Sequence, residues 1–545
     1  MRRPPSRAAQ VAWIAGPFAV FLSVLAWLWA DAPVWDDYDA VLGLLLRAEG
    51  VHAPGEWLAM VFAQHNEHRI AVMRMATLAL AGVAGQIDFR ILMLAGNLAL
   101  LGTMLFMWRE FREVAAPILG AAAIAAFQFS YYEASLMGSA ALPHLGVIFF
   151  SIGCLYFSLR DGAIAAVLAV TLGLLAAASQ ANGLFALPVA AAGCLVFHRR
   201  RRALVLLGFA LAAWALYFHG YHRPPNHPSP LVALSNPLYT AHFFFVVAGG
   251  VLPGTRLSAI LGLFIVAGLA WTLLRGVWRT HPVVVLWVAF LLASAAAAAV
   301  GRVGFGVVHA PRYAIVSTML IVILGLCAFS GARVPSRGAM AATLVGAAIF
   351  AIGVSLAVRP GLVEYALRGH LLHQAVPVAP GFAVDRYVGA FYPDQGLAQV
   401  ALAAASEHGY YHPPKLAVHP YEVRIVERLP ATERAGGRID TVVAAGTRVV
   451  VEGWTDSTAA RPGRTLYVAS RPPAQGAGAF VVVQRQDVAF KTGDAGMLLS
   501  GFRMELEYGS EARAREAARA LCMASQAAGE APSRLQPVYP GCEPP

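Results

Sequence analysis

The sequence predicts an α-helical polytopic membrane protein of about eleven spans with a smaller C-terminal α+β or β-sandwich domain. Three observations predict this. Of 545 residues, 58% are hydrophobic and only 13% charged, with a mean hydropathy of +0.61; soluble domains run at about 45–50% apolar and about 25% charged. Apolar runs long enough to cross the roughly 30 Å hydrocarbon core as helices recur up to about Val358. Beyond that point the apolar blocks shorten and strand-like alternation appears. The chain therefore divides into a membrane domain over 1–358, a connecting segment over 359–435 and a small β-rich domain with a tail over 436–545.

Val11–Ala30 follows Met1-Arg2-Arg3 and has the look of a signal sequence. It is long, lacks a small-residue cleavage site and leads into more spans, so it reads as an uncleaved anchor. Further spans are expected at 89–108, 114–130, 144–159, 163–178, 182–197, 203–218, 257–274, 282–300, 313–329 and 339–358. Two apolar stretches are left out. The first, 70–85, is about 24 Å as a helix and carries Arg74 in its middle. The second, 238–253, is broken by Gly249-Gly250 and Pro253 and interrupted by His242. With these two lying at the membrane surface and the N-terminus cytoplasmic, Arg109/Arg112, Arg160, His198 with Arg199–Arg202, Arg275/Arg279 and Arg333/Arg337 all fall on the cytoplasmic side, as the positive-inside rule requires. The C-terminal domain then faces the periplasm, and the chain reads as a multi-pass protein of a bacterial inner membrane.

The net charge of +11 is accounted for largely by these loop arginines, so nucleic acid is not an expected partner; membrane lipids are. Cys154, Cys194 and Cys327 lie in spans as packing residues. Cys522 and Cys542 lie in the tail, where an oxidising compartment allows a disulfide. In the same region Thr447–Glu452, Thr465–Ala469, Phe480–Arg485 and Met497–Tyr508 read as strands separated by Gly/Pro turns, with a helix over Ser510–Gln526. Trp454 reads as a core residue of this fold, with stacking on a sugar as the alternative.

The polar residues of the membrane domain collect on its outer side. Between Ala134 and Val363 the only carboxylate is Asp161, in a cytoplasmic turn. Ion-coupled transporters use intramembrane carboxylates as relays, so that class is disfavoured. Nearly all the outward acids lie in the first loop: Asp31, Asp36, Asp37, Asp39, Glu49, Glu56, Glu67 and Asp88. Asp36-Asp37 is either a helix N-cap with acids complementing the dipole or a functional pair. His65-Asn66-Glu67-His68-Arg69 is either an interfacial polar belt or part of a site. His65, Glu67, His68 and Asp37 are of the types that ligate a divalent cation, but the spacing specifies no metal. Ser130-Tyr131-Tyr132-Glu133, Gln180-Ala181-Asn182-Gly183, His219–Arg223, Arg302 and His309–Tyr313 share this side. Arg312 either snorkels to headgroups or clamps a lipid-linked phosphate with its fork of donors.

This arrangement resembles the C-type (GT-C) membrane glycosyltransferases, which use polyprenyl-phosphate-linked sugars as donors. The shared features are a cytoplasmic N-terminus, a first span leading into a large outer loop with paired acids, two interfacial helices in that loop, and another between the seventh and eighth spans, where 238–253 falls. The pair is Asp-Asp here, where many members carry Asp-Glu. The resemblance covers the membrane domain and implies an inverting transfer of a hexosyl or pentosyl group to an envelope glycan or lipid acceptor. It implies Asp36 as base, with Asp37 orienting or replacing it, and Arg312, Arg302 or Arg69 offsetting charge on the departing phosphate. Asp39, His65, Glu67, His68, Tyr132, Glu133 and Tyr313 complete the expected substrate site. No cofactor is implied with certainty. The alternatives are a lipid-linked glycan transporter, a scaffold of an envelope polysaccharide pathway, or an acyltransferase served by the His65–His68 run.

Overall fold

In hydrocarbon a backbone has no water to bond, so an apolar run satisfies its N–H and C=O groups by closing into a helix. The computed structural model shows eight helices long and apolar enough to cross a membrane: Arg7–Leu28, Phe89–Glu110, Gly138–Ser158, Arg200–Phe218, Thr255–Leu274, Pro282–Phe305, Pro311–Phe329 and Arg337–Val363. It describes residues 6–225, 227–330, 335–375, 395–412, 421–431, 434–456, 463–483, 485–492, 497 and 500–537. The other three expected spans are the shorter apolar helices Ala116–Ala126, Ala163–Ala177 and Ala181–Val196. Eight helices thus reach the length of a full crossing, and these three are shorter than the hydrocarbon thickness at 1.5 Å per residue. The two uncounted stretches are also short helices, Ala71–Ala84 and Pro237–Ala248.

Several long helices bury only a narrow stripe. Trp27, Leu204, Leu274 and Ile349 are among the large apolar side chains left exposed. In water such surface costs about 25 cal/mol per Å²; against lipid tails it costs nothing, so the exposed stripes are the lipid-facing surface. Inside, small residues bring helices close. A Cβ on Gly262 would lie 2.0 Å from the Phe245 carbonyl oxygen, and one on Gly249 would lie 2.0 Å from that of Ser258. These two glycines let Pro237–Ala248 fold back along Thr255–Leu274. Elsewhere Glu110 binds Arg160 and lies 3.3 Å from His281, which also meets Glu113 at 3.2 Å. Together these pairs tie three helix ends.

The chain divides into two compact units, 1–366 with 403–411, and 367–402 with 412–545. In the first, Tyr411 donates to the Asp31 carbonyl at 2.6 Å, His408 lies 2.7 Å from Glu49, and the Ile87 N–H bonds the Tyr410 carbonyl at 2.8 Å. A short segment near residue 410 thus fastens the 31–88 region that carries the paired acids.

The second unit holds strands β1 (Glu422–Ile425), β2 (Arg434–Ala445), β3 (Arg448–Thr455), β4 (Thr465–Ala469), β5 (Gly476–Val483), β6 (Gly501–Glu507), β7 (Cys522–Gln526) and β8 (Ser533–Gln536). They form one mixed sheet in the order β1-β4-β7-β8-β2-β3-β6-β5. The α+β form of the expectation holds; two facing sheets are not seen among the described residues. The helix Glu511–Arg519 packs on β2 and β3 through Ala514, Ala517 and Ala518, replacing the second sheet of a sandwich. The expected helix over Ser510–Gln526 is corrected in its second half, where β7 pairs antiparallel with β4. Trp454 is corrected as well: Val449, Val451 and Thr455 turn to the core, whereas Trp454 is half-buried on the opposite face of β3. Cys154, Cys194 and Cys327 are free and buried. Cys522 takes part in a disulfide, and Cys542 lies outside the described residues, as does part of the 359–435 segment.

Candidate active site

The chain turns sharply on leaving its first helix. Trp35 adopts φ 52°, a left-handed conformation unfavourable for a bulky residue, and this reversal separates the two acids that follow. Asp37 is fully buried. Its Oδ2 accepts from the Val34 N–H at 3.0 Å and its Oδ1 from the Ser139 N–H at 2.6 Å, so it caps the helix that begins at Gly138. Burial pushes its carboxyl up to about 6, with the N–H donors of Val34 and Ser139 pulling the other way. Asp36 is 48% exposed and faces His65, its Oδ2 3.7 Å from Nε2. Burial would raise Asp36, but hydrogen bonding and charge from His65, with Arg312 adding its charge, hold it below its ordinary value.

Asp37→Asn is expected to leave one of the two backbone N–H groups unpaired and to cost about 1–3 kcal/mol, and Asp37→Ala to cost more. Thermal unfolding of the detergent-solubilised protein checks this. An Asp37→Ala protein as stable as wild type would remove the capping role.

His65 is held on both sides. Its Nδ1 lies 3.2 Å from Asp39, and Asp39 in turn binds Arg47 at 2.8 Å. Burial opposes a charge on His65, but hydrogen bonds and charges from Asp36 and Asp39 outweigh it and raise the imidazole to about 9. The hydrogen bond with His65 is the largest reason that Asp39 lies well below the carboxylate range. His65 opens a tight turn in which His65 N–H and His68 N–H each bond the other's carbonyl, at 2.8 and 2.9 Å. Asn66 supplies the positive φ, 49°, that such a turn needs and that Asn tolerates.

The far side of this turn lines a cavity of about 620 Å³. Glu67 lies at its edge as a hub: it pairs with Arg302, with His227 at 3.2 Å and with His68 at 3.3 Å. Burial, with the charges of His65 and Arg312, pushes His68 down to about 4, so it is neutral at pH 7. Arg312 also lines the cavity. It lies 3.5 Å from Glu133, stacks near Tyr313 and acts by its charge on Asp36. Much of the remaining wall is apolar: Ala293, Ala297, Val300, Phe185 and Phe218.

Glu67, His68, Arg302, Arg312 and Tyr313 thus converge on one cavity, with Asp36, Asp39 and His65 joined to it through the His65–His68 turn. Arg69 and Tyr132 do not line this cavity. Arg69 donates to the carbonyls of Tyr217 at 2.7 Å, His219 at 2.6 Å and Phe62, so each of its three nitrogens is engaged. Tyr132 is buried with its ring 5.8 Å from that of Tyr365. Arg74 behaves like Arg69, bonding the carbonyls of Met60, Val61 and Ala63 that end the Pro54–Phe62 helix. Among the described residues no three His, Cys, Asp or Glu side chains gather as a metal site. The donor set fits a cation poorly in any case, because Asp37 is used on backbone N–H groups and His65 is already protonated.

Sequence reasoning missed His144, His227 and Ser294, which also line the cavity. A signal was available for His144, an ionisable residue beside Pro143 inside an apolar span.

No family model matches the chain, and no curated protein matches it. Two solved structures do: the chain is similar to ArnT from Cupriavidus metallidurans in the apo state and to the same protein bound to undecaprenyl phosphate, each at 17% identity and a TM-score of 0.39, covering 73% of this chain and 75% of that one.

Proposed function

We propose that this protein is an integral-membrane glycosyltransferase that moves a hexosyl or pentosyl group from a polyprenyl-phosphate donor to an envelope glycan or lipid acceptor. The observation that carries the reading is an ionised, solvent-reachable carboxylate, Asp36, linked through His65 and the charge of Arg312 to an arginine-bearing cavity much of whose wall is apolar. An acid-base group, an anion site and a lipid-compatible wall are what transfer from a lipid phosphate requires. The reaction face is non-cytoplasmic, with the N-terminus inside and the C-terminal domain outside. That topology has the three short apolar helices crossing as well.

In the proposed step the acceptor hydroxyl oxygen bonds the anomeric carbon while the bond from that carbon to the phosphate oxygen breaks. The hydroxyl proton passes to Asp36, and the departing polyprenyl phosphate keeps the bonding electrons as an anion held by Arg312, with Arg302 on the wall of the same cavity. Because a hydroxyl is a very weak acid, Asp36 acts as the new bond forms, and position matters as much as basicity. A single displacement inverts the anomeric centre. The test is the configuration of the product made by the purified protein from a panel of polyprenyl-phosphate sugars. Inversion is expected; a retained configuration would sink the mechanism.

A further inference from the structure

The cavity contains a second group of polar side chains that the phosphate chemistry leaves without a task. Its walls include two places where the helices depart from regular winding. Leu142–Gly146 is a π-helical turn and Ala181–Phe185 a 3-10 turn, the kind of irregularity that re-aims side chains at functional sites. His144 and Asn182 lie in these breaks, Gln180 immediately precedes the second, and all three line the cavity. Gly183 fixes the second break: a Cβ there would lie 1.9 Å from the Ala176 carbonyl oxygen, so only glycine lets the turn settle on the end of the Ala163–Ala177 helix.

The bonding of these groups is polarised. Asn182 Nδ2 donates to Ser294 Oγ at 3.2 Å, and Ser294 Oγ donates to the Phe290 carbonyl at 2.9 Å. That chain sets the direction of the Asn182 amide and leaves its buried Oδ1 with no donor. Gln180 Nε2 lies 3.3 Å from His144 Nδ1; with the amide donating, the imidazole proton sits on Nε2. The group therefore offers both acceptors and a donor, and no formal charge. A phosphate would meet carbonyl oxygens that repel it. An isoprenoid chain would leave the polar atoms unpaired, at about 1–3 kcal/mol each. A hydroxyl, which donates and accepts at once, matches the set.

We propose that His144, Gln180 and Asn182 form a neutral subsite for the hydroxyls of the donor's sugar ring, distinct from the Arg302/Arg312 anion site of the same cavity. The inference rests on the glycosyltransferase reading and adds to it where the sugar is recognised. The test measures binding of undecaprenyl phosphate and of a panel of undecaprenyl-phosphate hexoses and pentoses to the purified full-length protein. Wild type is expected to bind at least one sugar-linked ligand more tightly than the bare phosphate. Asn182→Leu and Gln180→Ala should weaken that ligand by about tenfold, within the range for an unpaired buried polar group, and leave undecaprenyl phosphate within about twofold. Asn182→Ala, smaller than the native side chain, gives the same reading if the leucine variant does not fold. Equal effects on both ligands, or none on either, overturn the subsite, as does a wild type with no preference for any sugar-linked ligand. A wild type that binds neither class overturns the donor reading itself, which is a separate result.

Discussion

Asp36→Asn is expected to lower sugar transfer by about 10²–10⁴-fold, the range for losing a positioned general base, while leaving the thermal stability close to wild type. The two halves of that expectation come from the same geometry. The carboxylate is 48% exposed and bonds no backbone group in the way that buried Asp37 does, so its loss gives up only a half-exposed pairing with His65, which keeps Asp39. The isosteric amide keeps the volume and removes only the proton acceptor. Transfer assays in membranes with protein level measured in parallel check both halves. Near-normal activity would show that Asp36 is not the base.

His65 turns this into a pH experiment. The imidazolium between Asp36 and Asp39 holds Asp36 ionised well into the acid range, so the acidic limb of the wild-type rate profile should lie low. His65→Gln keeps a hydrogen-bonding side chain and removes the charge. Asp36 then binds its proton more readily, and the acidic limb should move to higher pH. A merely structural His65 would lower the rate without moving the limb. The same pair contributes to stability with a defined sign. His65 is raised from an ordinary value near 6.5 to about 9, so its stabilising share is complete below about 6.5 and lost as the pH rises through about 9.

What was legible in the sequence was apolarity and its end points. The eight long helices follow from run length, and the first-loop acids stood out because the membrane domain has so few others. What was not legible depends on contacts between distant residues. Nothing local distinguishes Asp36 from Asp37; the partner that buries Asp37 is the Ser139 N–H, 102 residues away. Nor could local pattern show that Arg69 satisfies three carbonyls while Arg312 reaches the cavity, since both look like boundary arginines. The π and 3-10 turns at Leu142–Gly146 and Ala181–Phe185 lie within apolar runs that read as featureless helix. In the tail, alternation found strands but not their neighbours, and the apolar residues after Leu521 fitted a helix period as well as β7.

Three arginines line the cavity, Arg223, Arg302 and Arg312; of the two placed at the phosphate, Arg312 should matter more, and the reason is charge balance. Arg302 faces Glu67, whose carboxylate it shares with His227 and His68, so its charge is largely met. Arg312 has a looser partner in Glu133 at 3.5 Å and lies close enough to Asp36 for its charge to be felt there. An anion entering between them gains more from the arginine that is less neutralised. Arg312→Gln is therefore expected to reduce kcat/KM by about 10²–10³-fold, the scale for removing one preorganised donor to a developing oxyanion, and to weaken undecaprenyl phosphate binding. Arg302→Gln should cost less, because it also frees Glu67 to take its remaining partners. Arg312→Lys separates charge from geometry: an ammonium supplies the positive charge without the two-pronged fork. Partial binding with poor turnover in that variant would mean that the fork acts on the leaving phosphate in the transition state. Full activity would mean that a positive charge at the cavity is all the reaction asks of residue 312. Steady-state kinetics on the three variants, with binding measured on the same preparations, separates these outcomes.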